Sequence, residues 1–252
     1  AQSMVDDFLA YFYSVYDQYK SKDYLRMSAT EIFVDYKILT KKLLREWKAP
    51  IINDFLCMVH FGLFKKLTAS WCSELGDMIQ NDLLCGEGNM ESAEPTKELI
   101  RMANLILKNE KLKELIVNTK ARDCHEALRQ SEHKEFLARV EKYIDAYGHR
   151  CMSEMKLEQK DLHQDPTFLF VCLKNYLNSD LKSLHEYEKR EREIREAAEE
   201  KVYNHLSGFK SYIYEWSMHH ARKAVRNREN LRFCRTRIYG VVRRMFYGMG
   251  NE

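Results

Sequence analysis

Nine glycines and three prolines in 252 residues leave this chain few places to break a helix. Together they are about 5% of the sequence, against the roughly 12% usual for the pair. A chain so poor in turn residues spends them on connections, and apolar residues recur at helical spacing almost throughout. With 45% hydrophobic and 31% charged residues it can bury a core and keep a charged exterior. The reading is an all-α fold: a single multi-helix domain over residues 1–252, with long C-terminal helices packed antiparallel. The longest unbroken apolar run, Phe168 to Leu173, is six residues, where a membrane span needs about 20. No membrane partner is expected. The opening "AQSMVDDFLAYFYS" is acidic where a signal peptide would be basic. Seven cysteines without a C-x-x-C pair suit a reducing interior, so a cytoplasmic location is expected.

The helices can be placed one by one. Val5, Phe8, Leu9, Phe12, Val15 and Tyr16 make one apolar stripe on the first. Ser28-Ala29-Thr30-Glu31 reads as a capping box, with Ile32, Phe33, Tyr36, Leu39, Leu43 and Leu44 behind it. Pro50 suits the first turn of a third helix, "PIINDFLCMVHFGLFKKLTASW", which is apolar almost all round and is therefore expected at the centre. "CGEGNMESAEP" (85–95) is a loop that ends in a helix start. Shorter helices are expected at 96–108, 110–118 and 121–129, then one over 131–147. After Pro166, Leu169, Leu173, Tyr176, Leu177, Leu181 and Leu184 hold another stripe. "EYEKREREIREAAEEKV" is charged on most faces, as on a long solvated helix. Gly208 kinks or ends it, and a last helix runs from about 209 to 246. No period of 20–50 residues repeats, which excludes a solenoid.

Charge is distributed unevenly. Residues 221–244 carry nine Lys/Arg and one acid, a local +8 on a chain of net charge +3, so the remainder is −5. Arg228, Arg232 and Arg235 stand at i, i+4 and i+7 and share one helix face. Like charges at that spacing cost about 0.2–0.5 kcal/mol per pair unless something neutralises them. Such a face is either solvated, with snorkelling arginines, or an anion site whose guanidinium forks match phosphate or carboxylate. Nucleic acid is disfavoured, because a groove-tracking surface spreads over a face and the other 228 residues are net acidic. Metal ligation is weak too: His and Cys are scattered, and the side chains of His219 and His220 diverge by about 100° on a helix. No G-x-S-x-G and no G-x-x-x-x-G-K-[ST] occurs, so neither a nucleophile elbow nor a phosphate loop is present.

The stretch "YGHRCMSEMKLEQKDLHQDP" (147–166) interrupts this helical sequence. Gly148 allows a left-handed residue just past a helix, from which His149 and Arg150 project, with Glu154 four residues after Arg150. A cation, an imidazole and a carboxylate in one turn can orient a polar ligand, or can satisfy one another and nearby helix carbonyls.

This stretch resembles, without a gap, the pattern Y-G-H-R-G-x-x-E-[ILM]-D-[IL]-x-x-P-R-W-x-E-D-P. That pattern belongs to the helical substrate-binding domain of phosphoenolpyruvate-synthase-like, PEP-utilising enzymes, the group that includes rifampicin phosphotransferase. "VRNRENLRFCRTRIYGVVRRMF" (225–246) is similar to the family's R-E-x-x-[RK] helix, and 47–250 resembles the family more loosely. In place of the pattern's residues stand Cys151 for Gly, Lys156 for Asp, and Lys160, Asp161 and Leu162 for Pro-Arg-Trp. The resemblance implies a domain that holds a small-molecule substrate for an ATP-dependent phosphotransferase. An ATP-grasp portion and a swivelling phosphohistidine domain are then its partners in the parent enzyme. It assigns substrate contacts to Arg228, Arg232, Tyr147, His149, Arg150 and Glu154. ATP and Mg2+ are expected in the parent; no cofactor, metal or catalytic residue is expected in this chain, which reads as a piece of a larger enzyme, inactive alone. The alternative is a helical interaction module that binds RNA or an acidic protein through its basic C-terminal helix.

Overall fold

The computed structural model describes residues 2–85, 93–149, 156–179 and 184–250, the side chains of 184, 185 and 187 excepted. The all-α expectation holds: among the described residues there is no strand. The helices are α1 (Gln2–Lys20), α2 (Ala29–Leu39), α3 (Lys48–Trp71), α4 (Ile79–Leu84), α5 (Glu94–Leu107), α6 (Glu110–Asn118), α7 (Cys124–Gln130), α8 (Lys134–Tyr147), α9 (Thr167–Asn178), α10 (Leu184–His205) and α11 (Gly208–Met249). The chain sorts into two compact units. Unit one is Ala1–Ala10, Trp47–Ser92 and Leu184–Arg232; unit two is Tyr11–Glu46, Ala93–Ser183 and Phe233–Glu252.

In unit one, α10 and the first part of α11 pack antiparallel, as expected. Glu199 pairs with Arg222 at 2.7 Å, and Glu215 acts on the phenol of Tyr203, one turn further along α10 and two turns back along α11. Ala198, Val202 and Leu206 of α10 bury against Tyr214, Met218 and Ala221 of α11, with Phe64, Ile79 and Leu83 completing this core. Gly208 supplies the reversal: its φ of 58° lies in the left-handed region that glycine adopts at no steric cost.

Helix α3 overturns an expectation. It is not buried all round: Ile51, Ile52, Phe55, Met58 and Val59 are exposed, while Ala49, Asn53, Cys57, Phe64 and Thr68 are buried. The buried face is the smaller and more polar one, because its polar groups find partners on α11. Asn53 Nδ2 donates to the Ala224 carbonyl at 3.4 Å, and Thr68 Oγ1 lies 2.8 Å from the Tyr214 hydroxyl. Hydrophobicity all round did not distinguish the faces; the buried one is the face whose Asn53 and Thr68 find hydrogen-bond partners on α11.

Unit two has its own core, built by α5 to α9 around Met102, Ile106, Ile116, Leu128, Val140, Phe170 and Leu173. The helices expected between 96 and 147 are all present within a few residues. The stripe on α2 behaves as patterned in part, since Ile32 and Leu39 are buried and Phe33 is exposed. The capping box forms in full: the Ser28 hydroxyl accepts from the Glu31 N–H at 3.3 Å, and the Ser28 N–H donates to the Glu31 carboxylate at 2.9 Å. Replacing Ser28 with Ala strips an orphan N–H of its acceptor and costs about 1 kcal/mol, read as a lower urea midpoint at unchanged slope.

Candidate functional site

The turn after α8 is organised differently from its sequence reading. Gly148 is the C-cap of α8 but sits at φ −60° and ψ −22°, right-handed, so left-handed freedom is not why a glycine stands there. Close approach is the reason. A Cβ on Gly148 would lie 2.3 Å from the imidazole of His163 and from the Ile144 carbonyl. His149 does not project into solvent. It is buried, its ring edge-on to Phe233 at 5.3 Å, and Gly240 of α11 packs against its Cβ. Arg150, Cys151 and Glu154 lie outside the described residues, as do Leu181 and most of the loop expected at 85–95.

A second arginine, not singled out by the sequence, holds this region together. Arg243 of α11 is 1% exposed and gives its guanidinium to backbone carbonyls: Nη2 donates to Lys156 O at 3.0 Å, and Nη1 reaches His149 O at 3.5 Å. Its counter-charge is Asp161, equally buried, whose Oδ2 stands 3.8 Å from Nη1, an ion pair without a hydrogen bond. Asp161 Oδ1 in turn accepts from the N–H groups of His163 and Gln164. Leu162 closes the loop onto the core, its N–H donating to Gly148 O at 2.9 Å. The signal for Arg243 was its place in "VVRRM", a cation between residues that continue an apolar stripe.

Tyr147 has a different setting. It is half-buried, in contact with Tyr143 at 5.0 Å between ring centres, and lines an open cavity of about 1090 Å3 on α8 and its neighbours α5 and α6. Phe136 and Tyr143 give the cavity an apolar floor, and Arg139, paired with Glu98 at 2.7 Å, stands on its wall. Burial raises the Tyr147 phenol above its ordinary range, helped by Glu94 and Glu98 and opposed by Arg237 and Arg101. It is a neutral hydrogen-bonding group throughout the physiological range.

The basic stretch of α11 divides by use. In unit one, Arg222 is committed to structure, to Glu199 and to the Leu83 carbonyl. Arg228 and Arg232 are exposed. Arg228 lies 3.8 Å from Asp54 of α3, beside the Cys57 thiol, and Arg232 lies 3.1 Å from Glu229. In unit two, Arg237 covers the rings of Tyr13 and Phe233. Among the described residues no cluster of His, Cys, Asp and Glu could hold a metal ion, and no helix is long and apolar enough to cross a membrane.

A family model for the rifampicin phosphotransferase fourth domain matches residues 38–229. The chain belongs to that family. Its members are parts of multidomain phosphotransferases, and the match takes in the whole 147–166 stretch and Arg228, ending just before Arg232. No curated protein matches the chain. Where the chain leaves the family pattern described above, the new residues carry structure: Leu162 is core, Asp161 balances Arg243, and Lys156 lends Arg243 its carbonyl.

Two substitutions test this arrangement. Arg243→Met leaves the Asp161 carboxylate buried without a counter-ion and lowers unfolding free energy by about 3–5 kcal/mol, most of which Arg243→Met/Asp161→Leu recovers. Gly240→Ala would normally gain up to ~1 kcal/mol in mid-helix. Here the new Cβ meets His149 Cβ at 2.5 Å, so the expected outcome is a loss of about 1–3 kcal/mol in the same measurement.

Proposed function

We propose that this chain is the substrate-binding domain of an ATP-dependent phosphotransferase that uses a swivelling phosphohistidine domain. Membership of the phosphotransferase family carries the reading, and the exposed Arg228 and Arg232 support it. Two guanidinium groups on adjacent turns of one rigid helix suit the oxygens of an incoming phosphoryl or other anionic group. The carboxylates beside them, Asp54 and Glu229, share exposed ion pairs of the kind worth little, so an anion displaces them cheaply.

The Tyr147 cavity of unit two is by itself large enough for a small organic ligand, its volume exceeding that of most drug-sized sites. His149, buried behind Tyr147 in sequence, is a positioning residue in this reading, and Arg150 and Glu154 keep the roles the family motif gives them. ATP and Mg2+ belong to the parent's other portions, an ATP-grasp portion and the swivelling histidine domain. The free thiols among its described cysteines support a cytoplasmic location for the parent. A polyanion-binding module is the weaker reading, because Arg222, Arg237 and Arg243 of the basic stretch are already engaged inside the fold.

Arg228→Ala in the full-length parent is expected to lower phosphate transfer by about 10²-fold or more, the usual cost of removing one preorganised charge from a transferring group. The thermal midpoint stays where it was, since the side chain is exposed. Unchanged turnover would remove Arg228 from the site.

A further inference from the structure

Unit one contains a second concave site, apart from the residues assigned above. A pocket of about 260 Å3 lies among α1, α3 and α11, lined by His60, His219, His220, Lys223, Asn53 and Asn227, with Gln2, Leu56 and Ala224. Its charge pattern is one-sided. Three imidazoles and an ammonium face it, and no carboxylate is among the lining residues. Lys223 is half-buried and has no ion-pair partner among the described residues. Two buried amides complete the wall. Asn53 and Asn227 are held in place through their Nδ2 groups, by Ala224 O and Gln2 Oε1, and Gln2 is in turn anchored on the Asp6 carboxylate.

The imidazoles are aimed rather than scattered. His220 is fixed by its Nδ1, 2.8 Å from the Trp216 carbonyl, and by tilted contact with the Trp216 indole, 4.4 Å between ring centres. If Nδ1 donates there, Nε2 is left for a ligand. His60 faces His220 at 5.3 Å, and its buried Nδ1 has no hydrogen-bond partner among the described residues. Burial and the neighbouring His220 hold the His60 imidazole below its ordinary pKa. Two imidazoles this close repel when both are protonated, and a bound anion reverses that penalty. A metal does not fit, since no such cluster has a ligating geometry among the described residues.

We infer that this pocket binds a small oxyanion, the phosphate or carboxylate group of a compact ligand, through His60, His220 and Lys223. The volume sits below the roughly 300–1,000 Å3 of drug-sized sites, so the ligand is a small acid or monophosphate rather than a nucleotide or a polymer. Burial disfavours the charged form of the His60 imidazole, and a bound anion favours it, so affinity rises as pH falls. His219 and Lys223 are the other titratable groups facing the pair from α11, and Asp6 acts only through Gln2.

The test is an NMR titration of the histidine Cε1–H resonances of the 252-residue chain. Sulfate serves as the probe whose charge does not change with pH, inorganic phosphate and acetate as the two ligand chemistries, and chloride at matched ionic strength as control. Saturable shifts at His60 and His220 with sulfate, stronger at pH 6 than at pH 8, are the expected result. Phosphate against acetate then tells which oxyanion the site prefers. His60→Gln and Lys223→Gln are each expected to weaken sulfate by about tenfold, one charge-assisted hydrogen bond. Arg228→Gln/Arg232→Gln leaves the sulfate-induced shifts of His60 and His220 intact, which separates this pocket from the arginine pair. Overturning results are shifts no larger than chloride gives, or binding that the arginine variant abolishes and His60→Gln spares.

Discussion

A guanidinium buried to 1% is the constraint on which the organisation of unit two turns. Removing an arginine from water is expensive unless nearly every donor is answered. Arg243 is answered by two carbonyls, from His149 and Lys156, and by the buried Asp161. Its planar fork is what allows one side chain to reach all three; the single ammonium of lysine would leave backbone acceptors unserved. The bond to Lys156 O uses the backbone, so it does not depend on the side chain at 156, and Asp161 supplies the negative charge beside the guanidinium.

The same economy governs unit one. Helix α3 has a strongly apolar face and a modest polar one, and it buries the modest one. A hydrogen bond between buried partners is worth only about 0.5–1.5 kcal/mol, less than the burial of a phenylalanine. The choice therefore reflects fit along a whole helix. Asn53, Cys57, Phe64 and Thr68 follow one line, and their counterparts Ala224, Tyr214 and Met218 follow the facing line of α11.

Local signals were legible in the sequence and partner choice was not. The capping box at Ser28 and Glu31, the helix boundaries between 96 and 147, and the antiparallel α10–α11 pair rest on interactions between near neighbours. Such interactions are written in a few adjacent residues. The burial of His149, the right-handed Gly148 and the outward face of α3 are set by elements far away in the chain. Gly148 is the clearest case. Sequence spacing identified a glycine after a helix and supplied the usual reason, whereas the operative reason is His163, fifteen residues on. In the candidate site, the placing of Arg228 and Arg232 on one helix face followed from periodicity. The Tyr147 cavity did not, because its wall comes from three helices.

The basic stretch of α11 shows why a count of charges is a poor guide to function. Counted together, residues 221–244 suggest one positive surface. Resolved by position, Arg222 bridges a carbonyl and Glu199, Arg237 lies over aromatic rings, and Arg243 is sealed inside. Lys223 turns to a pocket of imidazoles, and Arg228 and Arg232 face outward. The cations bound up in the fold are screened by their own partners and add little to a field that a polyanion would feel. Two short-range sites on one helix stand out: a pair of arginines with loosely held carboxylates, and an ammonium with no ion-pair partner among the described residues. Short-range sites of that kind select a single anionic group by geometry.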